Sequence, residues 1–231
     1  MVEIISVLLL VIILVGLKII LGVNIKKMNE LSQKSSLDNL IKRLPASNQM
    51  GKEMLAMLEN ESVKIENSSD EKSGTSLYLV MGNKIIIANG NGSYATVQTM
   101  AHECLHSVQS KKMLWFNFVY SNFYIIYTLA IVILTVLGII KNITLQLYIL
   151  TLMGFVFYIV RSYLETDAMT KAKFLAKEYL EKKGLHNKKE IDELIKKYDE
   201  INKIGIPTTN YILIWNVVSK LLLYSFIGLI F

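Results

Sequence analysis

Ala101-His102-Glu103-Cys104-Leu105-His106 is the stretch that decides how this chain is read. It contains the pattern H-E-x-x-H. On a helix, positions i and i+4 share a face, so His102 and His106 can direct two imidazoles at one metal ion. Glu103 lies one residue further round, where its carboxylate can take a proton from an attacking water. The flanking sequence favours a helix. Asn89-Gly90-Asn91-Gly92 is a turn cluster, and Ser93 follows it as an N-cap. Residues 94–112 contain neither Gly nor Pro.

The 231 residues are 52% hydrophobic with a net charge of +6, and the mean hydropathy is +0.40. That is too apolar for an ordinary soluble domain and predicts several membrane spans. In such a chain the excess lysines belong to loops facing the cytoplasm and anionic headgroups. No aromatic-plus-basic repeat points to nucleic acid. Cys104 is the sole cysteine, which excludes an intrachain disulfide. It faces away from the two histidines and reads as a packing residue.

Apolar runs predict four spans, each long enough for a hydrocarbon core of ~30 Å. Residues 4–21 read as an uncleaved anchor, because Glu3 precedes them and Lys26 and Lys27 follow. Residues 115–140 and 143–160 form a hairpin that turns at Lys141-Asn142, and residues 211–231 form the last span. The organisation is then a membrane anchor (1–23), a cytoplasmic segment with the H-E-x-x-H helix (24–114), a transmembrane hairpin (115–160), cytoplasmic helices (161–210) and a C-terminal transmembrane helix (211–231). Lys34, Lys42, Arg43, Lys52, Lys111 and Lys112 place the soluble segments on the cytoplasmic side.

Within the first soluble segment, residues 50–58 read as a helix and 63–66 as a strand. A polar, turn-rich stretch (67–74) follows. Strands over 76–80 and 84–88 are joined by Met81-Gly82-Asn83. Lys84, Ile85, Ile86, Ile87 and Ala88 are expected to form an exposed sheet edge on which an extended peptide substrate could pair. In the second segment a helix over 165–183 ends at Gly184. Asn187 with Glu190 opens another, up to about residue 204, which Gly205 and Pro207 break.

A catalytic zinc usually takes three protein ligands and leaves one position open. Glu165 is the expected third ligand, since the hairpin returns it to the side of the membrane that carries His102 and His106. One zinc ion per chain is expected, on ligand type. Asp167 is a weaker ligand candidate, or an acceptor that orients a histidine. His106 lies nine residues before Trp115, ~13 Å if the helix continues. Tyr78, Tyr94, Arg161 and Tyr163 are candidates to stabilise an oxyanion. His186, in a polar turn, reads as solvated. Lys220 is a cation inside the last span, a functional-site hypothesis by default.

With these residues in place, the chain resembles the bacterial YugP-type neutral zinc metallopeptidases, and more remotely membrane zincins of the HtpX and CAAX-prenyl-protease type. The resemblance covers nearly the whole chain. Its specific parts are A-H-E-x-x-H-x-x-Q, from Ala101 to Gln109, and the E-x-D-A of Glu165-Thr166-Asp167-Ala168. It implies zinc ligands at His102, His106 and Glu165 and a catalytic base at Glu103. The chain departs from the pattern at Leu105, commonly Gly, and at Met169, where a gluzincin-type acid is absent. The expectation is an α+β zincin-like core, with a small sheet and the H-E-x-x-H helix, fused to a four-helix transmembrane bundle and mostly α. The expected activity is zinc-dependent hydrolysis of peptide bonds, in peptides or membrane proteins, at the cytoplasmic face of a bacterial membrane. Two alternatives stand beside it: a non-catalytic zinc-binding membrane scaffold, and a zinc hydrolase acting on a non-peptide amide.

Overall fold

The computed structural model describes residues 2–31, 37–68, 76–88 and 93–231. Lys34, the turn cluster 89–92 and most of the polar stretch 67–74 lie outside the described residues. The chain folds as two compact units. One comprises Met1–Asn24, Phe116–Tyr163 and Pro207–Phe231, and the other Ile25–Trp115 and Leu164–Ile206.

The first unit is helical. It holds α1 (Val2–Ile20), α6 (Lys111–Val136) from residue 116 onward, the first half of α7 (Ile143–Lys183) and the second half of α8 (Lys188–Ile230). The helices α6, α7 and α8 are long and apolar enough to cross a membrane. The first expected span falls on α1, whose described apolar run, Val7–Ile20, is shorter. Gly138, at φ +71°, lies in the turn between α6 and α7, and the Asn142 side chain accepts a hydrogen bond from the Leu145 N–H. Tyr124, Ile131, Leu150, Leu221 and Tyr224 form the core of this unit.

The second unit opens with α2 (Ile25–Leu31) and α3 (Asp38–Ile41) and packs α4 (Ser47–Met57), a three-stranded sheet, α5 (Thr96–Val108) and the remaining halves of α7 and α8 around one apolar core. Met50, Met54 and Leu55 supply the buried face of α4 at i, i+4 spacing. Gly51 lets α4 approach its neighbours closely: a Cβ there would lie 2.7 Å from Ile65 Cδ1 and 2.8 Å from Met100 Sδ. The strands are β1 (Lys64–Asn67), β2 (Leu77–Leu79) and β3 (Lys84–Ile87). A 3-10 turn and Asn83, in the left-handed region at φ 45°, join β2 to β3. Asn tolerates that conformation, and here its side chain accepts from the Tyr78 hydroxyl at 2.9 Å.

Strand order overturns one expectation. The sheet runs β1-β3-β2, with β1 parallel and β2 antiparallel to β3. Of the expected edge, Lys84 to Ala88, residues Lys84–Ile87 are therefore the central strand and not an edge. Its run of three isoleucines suits a strand with a neighbour on each side. Among the described residues the edges are β1 and β2.

Three helix boundaries also differ. The helix α5 ends at Val108, and Gln109 is extended at ψ 163° before α6 opens at Lys111. Continuity from His106 into the apolar run, assumed in the ~13 Å spacing, is thus broken. Ser93 lies before the N-cap residue, Ala95, whose N–H its hydroxyl accepts at 3.1 Å. Finally, α8 runs unbroken through Gly205 and Pro207. Proline removes only one N–H, and long apolar helices tolerate it where neighbours satisfy the freed carbonyl. Gly205 serves close packing: a Cβ there would lie 2.9 Å from Met169 Cε on α7.

A buried polar ladder aligns the helices of this unit. Gln98 on α5 donates to the Asn202 side-chain oxygen on α8 at 2.7 Å, and Asn202 donates to the Met169 carbonyl on α7 at 3.0 Å. The Tyr198 hydroxyl donates to the Tyr94 carbonyl at 2.8 Å. These bonds hold the face of α5 that carries the histidines at a set angle to α7.

Candidate metal centre

His102 and His106 lie one turn apart on α5, and Glu165 stands at the start of the α7 half that belongs to this unit. Their candidate ligand atoms all fall within 4.8 Å of one another. His102 Nε2 and His106 Nε2 are 3.0 Å apart. Glu165 Oε2 is 3.4 Å from the first and 3.6 Å from the second. A tetrahedral ion with bonds of 2.0–2.1 Å separates its ligands by ~3.3–3.4 Å. The three measured edges bracket that value, so these residues fit one small divalent cation.

Glu103 is buried beside them. Burial pushes its carboxyl above the usual range, and the nearby histidines and the backbone N–H of Tyr78, which donates to it, pull the other way. That N–H belongs to β2, so an edge strand of the sheet adjoins the site. A divalent cation would bring positive charge to the two carboxyl groups, Glu103 and Glu165, gathered here.

Gln109 is the contributor whose role sequence reading missed. Its amide nitrogen donates to the Leu164 carbonyl at 2.8 Å and to Asp167 Oδ2 at 3.0 Å. Both acceptors fix which way the amide faces. Its oxygen is then turned to His106 Nδ1, 2.8 Å away, which must carry the proton. His106 Nε2 is left with its lone pair toward Glu165 and His102. Asp167 therefore orients the histidine through Gln109 and not by direct contact. Its other oxygen pairs with Lys171 at 2.6 Å. Although burial works against them, these hydrogen bonds hold the Asp167 carboxyl below its usual range. Sequence shows only that Gln109 lies three residues after His106; the extended backbone at Gln109, which ends α5, brings its side chain back to the imidazole.

Removing this support has a measurable cost. Gln109→Ala is expected to weaken metal binding by ~10–100-fold, the range for outer contacts to a ligating histidine. Competition with a chromogenic chelator measures it, and affinity within twofold of the parent would show that Gln109 does not orient the ligand.

Several of the other candidates are already engaged. The Tyr78 hydroxyl is held by Asn83. The Tyr94 hydroxyl donates to the Leu31 carbonyl, and its N–H donates to Asp38 at 2.8 Å. Arg161 and Tyr163 precede Glu165 on α7 by four and two residues. The Cys104 thiol is buried, pushed up to about 12 by that burial, and directed at the Gly51 carbonyl, as a packing residue should be. Met169 packs against Gly205.

His186 corrects its solvated reading. It is 8% exposed, and its Nε2–H donates to the Leu40 carbonyl at 2.9 Å. The turn after α7 folds back onto α3 (Asp38–Ile41), a long-range contact that local polarity does not announce. Lys220 belongs to the apolar half of α8 and is not among the residues whose ligand atoms converge.

Compared with models of protein families, with curated proteins and with solved structures, the chain matches none.

Proposed function

We propose that this chain is an integral-membrane, zinc-dependent peptidase of the zincin kind, hydrolysing peptide bonds at the cytoplasmic surface of the bilayer. The observation that carries the reading is the convergence of His102, His106 and Glu165 on one point, with the buried Glu103 alongside. The family resemblance rests on the same residues. Bound zinc would supply Lewis acidity, polarising the scissile carbonyl and acidifying a water.

The remaining chemistry belongs to the chain. Glu103 takes a proton from the attacking water, whose oxygen bonds to the carbonyl carbon. As the C–N bond breaks, Glu103 returns that proton to the departing amine, leaving a carboxylic acid and a free amine. The Tyr78 N–H holds the Glu103 carboxylate in place throughout. An extended substrate would add to β2, the edge strand that adjoins Glu103, and not to β3, which is paired on both sides. Three apolar helices would hold the chain in the membrane, and the lysine distribution would set its cytoplasmic face.

The test is metal dependence. The detergent-purified chain is expected to cleave a mixture of quenched fluorescent peptides, to lose that activity on chelation, and to regain it with about one zinc per chain. Peptide cleavage that survives complete removal of metal would overturn the reading. So would a reloaded protein that holds zinc and cleaves none of the peptides, which would favour a scaffold.

A further inference from the structure

Asn216 and Lys220 lie one turn apart in the apolar half of α8. Lys220 Nζ donates to the Asn216 carbonyl at 3.2 Å and to its side-chain oxygen at 2.5 Å, and lies 5.1 Å from the centre of the Tyr124 ring. Both hydrogen-bond acceptors belong to the neutral Asn216, and neither it nor the ring brings opposite charge. In the unit that contains Lys220, the sequence holds a single acidic residue, Glu3, near one end of α1. Lys220 lies ten residues before Ile230, ~15 Å along the helix, far from the helix ends where lysines snorkel to water.

Polar residues in membrane helices almost always face the bundle interior. Here Asn216 is exposed, and the half-buried Lys220 holds its ammonium between the Asn216 side chain and the ring of the core residue Tyr124. The stripe of Ile212, Asn216, Ser219, Leu223, Phe226 and Ile230 recurs at spacings of 4, 3, 4, 3 and 4 residues. Its four apolar members are between 48% and 72% exposed. Such a repeat has the spacing of a coiled-coil seam, in which Asn216 would stand at a position that sets register and Lys220 at a flanking position that selects a charged partner. Ser219 and Asn216 are side chains of the kind that bond across helices in lipid.

We propose that this face of α8 docks the transmembrane helix of another protein, one that carries an Asp or Glu carboxylate at mid-bilayer depth. Charge complementarity selects that occupant. A second copy of this chain brings no carboxylate to that depth and would set Lys220 against another lysine. Lipid phosphates lie at the bilayer surface and not at its centre. The inference rests on the proposed membrane crossing of α8 and is independent of the metal chemistry.

The test places the full chain in phosphatidylcholine vesicles with a synthetic Leu-Ala transmembrane helix whose central residue is Glu, Gln or Leu. Energy transfer between labelled chain and labelled peptide measures association. The Glu peptide is expected to bind at least ~10-fold more tightly than the Leu peptide. Lys220→Met should reduce that preference to below ~2-fold and Lys220→Arg should keep it. Lys220→Glu should transfer the preference to a peptide with a central Lys. Equal binding of the Glu and Leu peptides by the parent, or a Glu preference surviving in Lys220→Met, would overturn the seam. Self-association through this face, seen without peptide and lost in Leu223→Ala, would replace the partner helix by a second copy. A separate control keeps the two readings apart. Release of the chain by alkaline carbonate would overturn the membrane crossing and the seam with it, whereas retention leaves the peptide comparison to judge the seam alone.

Discussion

Glu103→Gln is expected to lower the rate of peptide hydrolysis by ~10²–10⁴-fold, the contribution of a positioned general base, while leaving the metal content unchanged. Gln has the size of Glu and keeps an oxygen that can accept from the Tyr78 N–H, so the fit of the side chain beneath β2 is retained. It lacks the carboxylate that would take the proton in the proposed mechanism. Glu103 is also not one of the three residues whose ligand atoms converge. Initial rates on a fluorescent peptide, with zinc measured by mass spectrometry on the same sample, separate the two effects. A rate within tenfold of the parent would remove Glu103 from the chemistry. Loss of zinc together with activity would make it part of the metal site.

Glu165→Ala is expected to weaken zinc binding by more than ~10²-fold, beyond the upper end for outer contacts such as Gln109. His102→Ala should do the same, since each change removes one of three donors. The Glu165 variant carries a second signature. Burial alone would lower the pKa of His106, but the hydrogen bond and charge of Glu165 outweigh it, and His106 sits above the usual imidazole range. Protons therefore compete with the metal for His106 at a higher pH than for an ordinary histidine, and zinc affinity falls as the solution is acidified. In Glu165→Ala that fall should move to lower pH, because the carboxylate that favours the imidazolium is gone. Zinc titrations across the pH range measure both the loss and the shift. Parent-like affinity in Glu165→Ala would eliminate the third ligand.

Local chemistry made much of this protein legible in its sequence. Helical periodicity alone places His102 and His106 on one face, whatever surrounds them. Met81-Gly82-Asn83 announces the hairpin between β2 and β3 because turn residues act over a few positions. The long apolar runs identify α6, α7 and α8 as helices able to cross a membrane because composition suffices for that. Non-local choices were hidden. The parallel pairing of β1 with β3 joins segments with no turn between them, and it turns Lys84–Ile87 from an expected edge into the central strand. The break at Gln109 carries no Gly or Pro signal; it accompanies a side chain that bonds across to Leu164 and Asp167 on α7. Pro207 and Gly205 look like a helix stop to any local rule, and α8 continues through them. The sequence by itself determined which residues could meet a metal ion and which segments could enter a membrane. Only the tertiary structure decided that Glu165 reaches the histidines, that Gln109 turns its oxygen to His106, and that β2 supplies the edge beside Glu103. Each of these depends on packing between segments far apart in the chain, and local propensity carries no information about that.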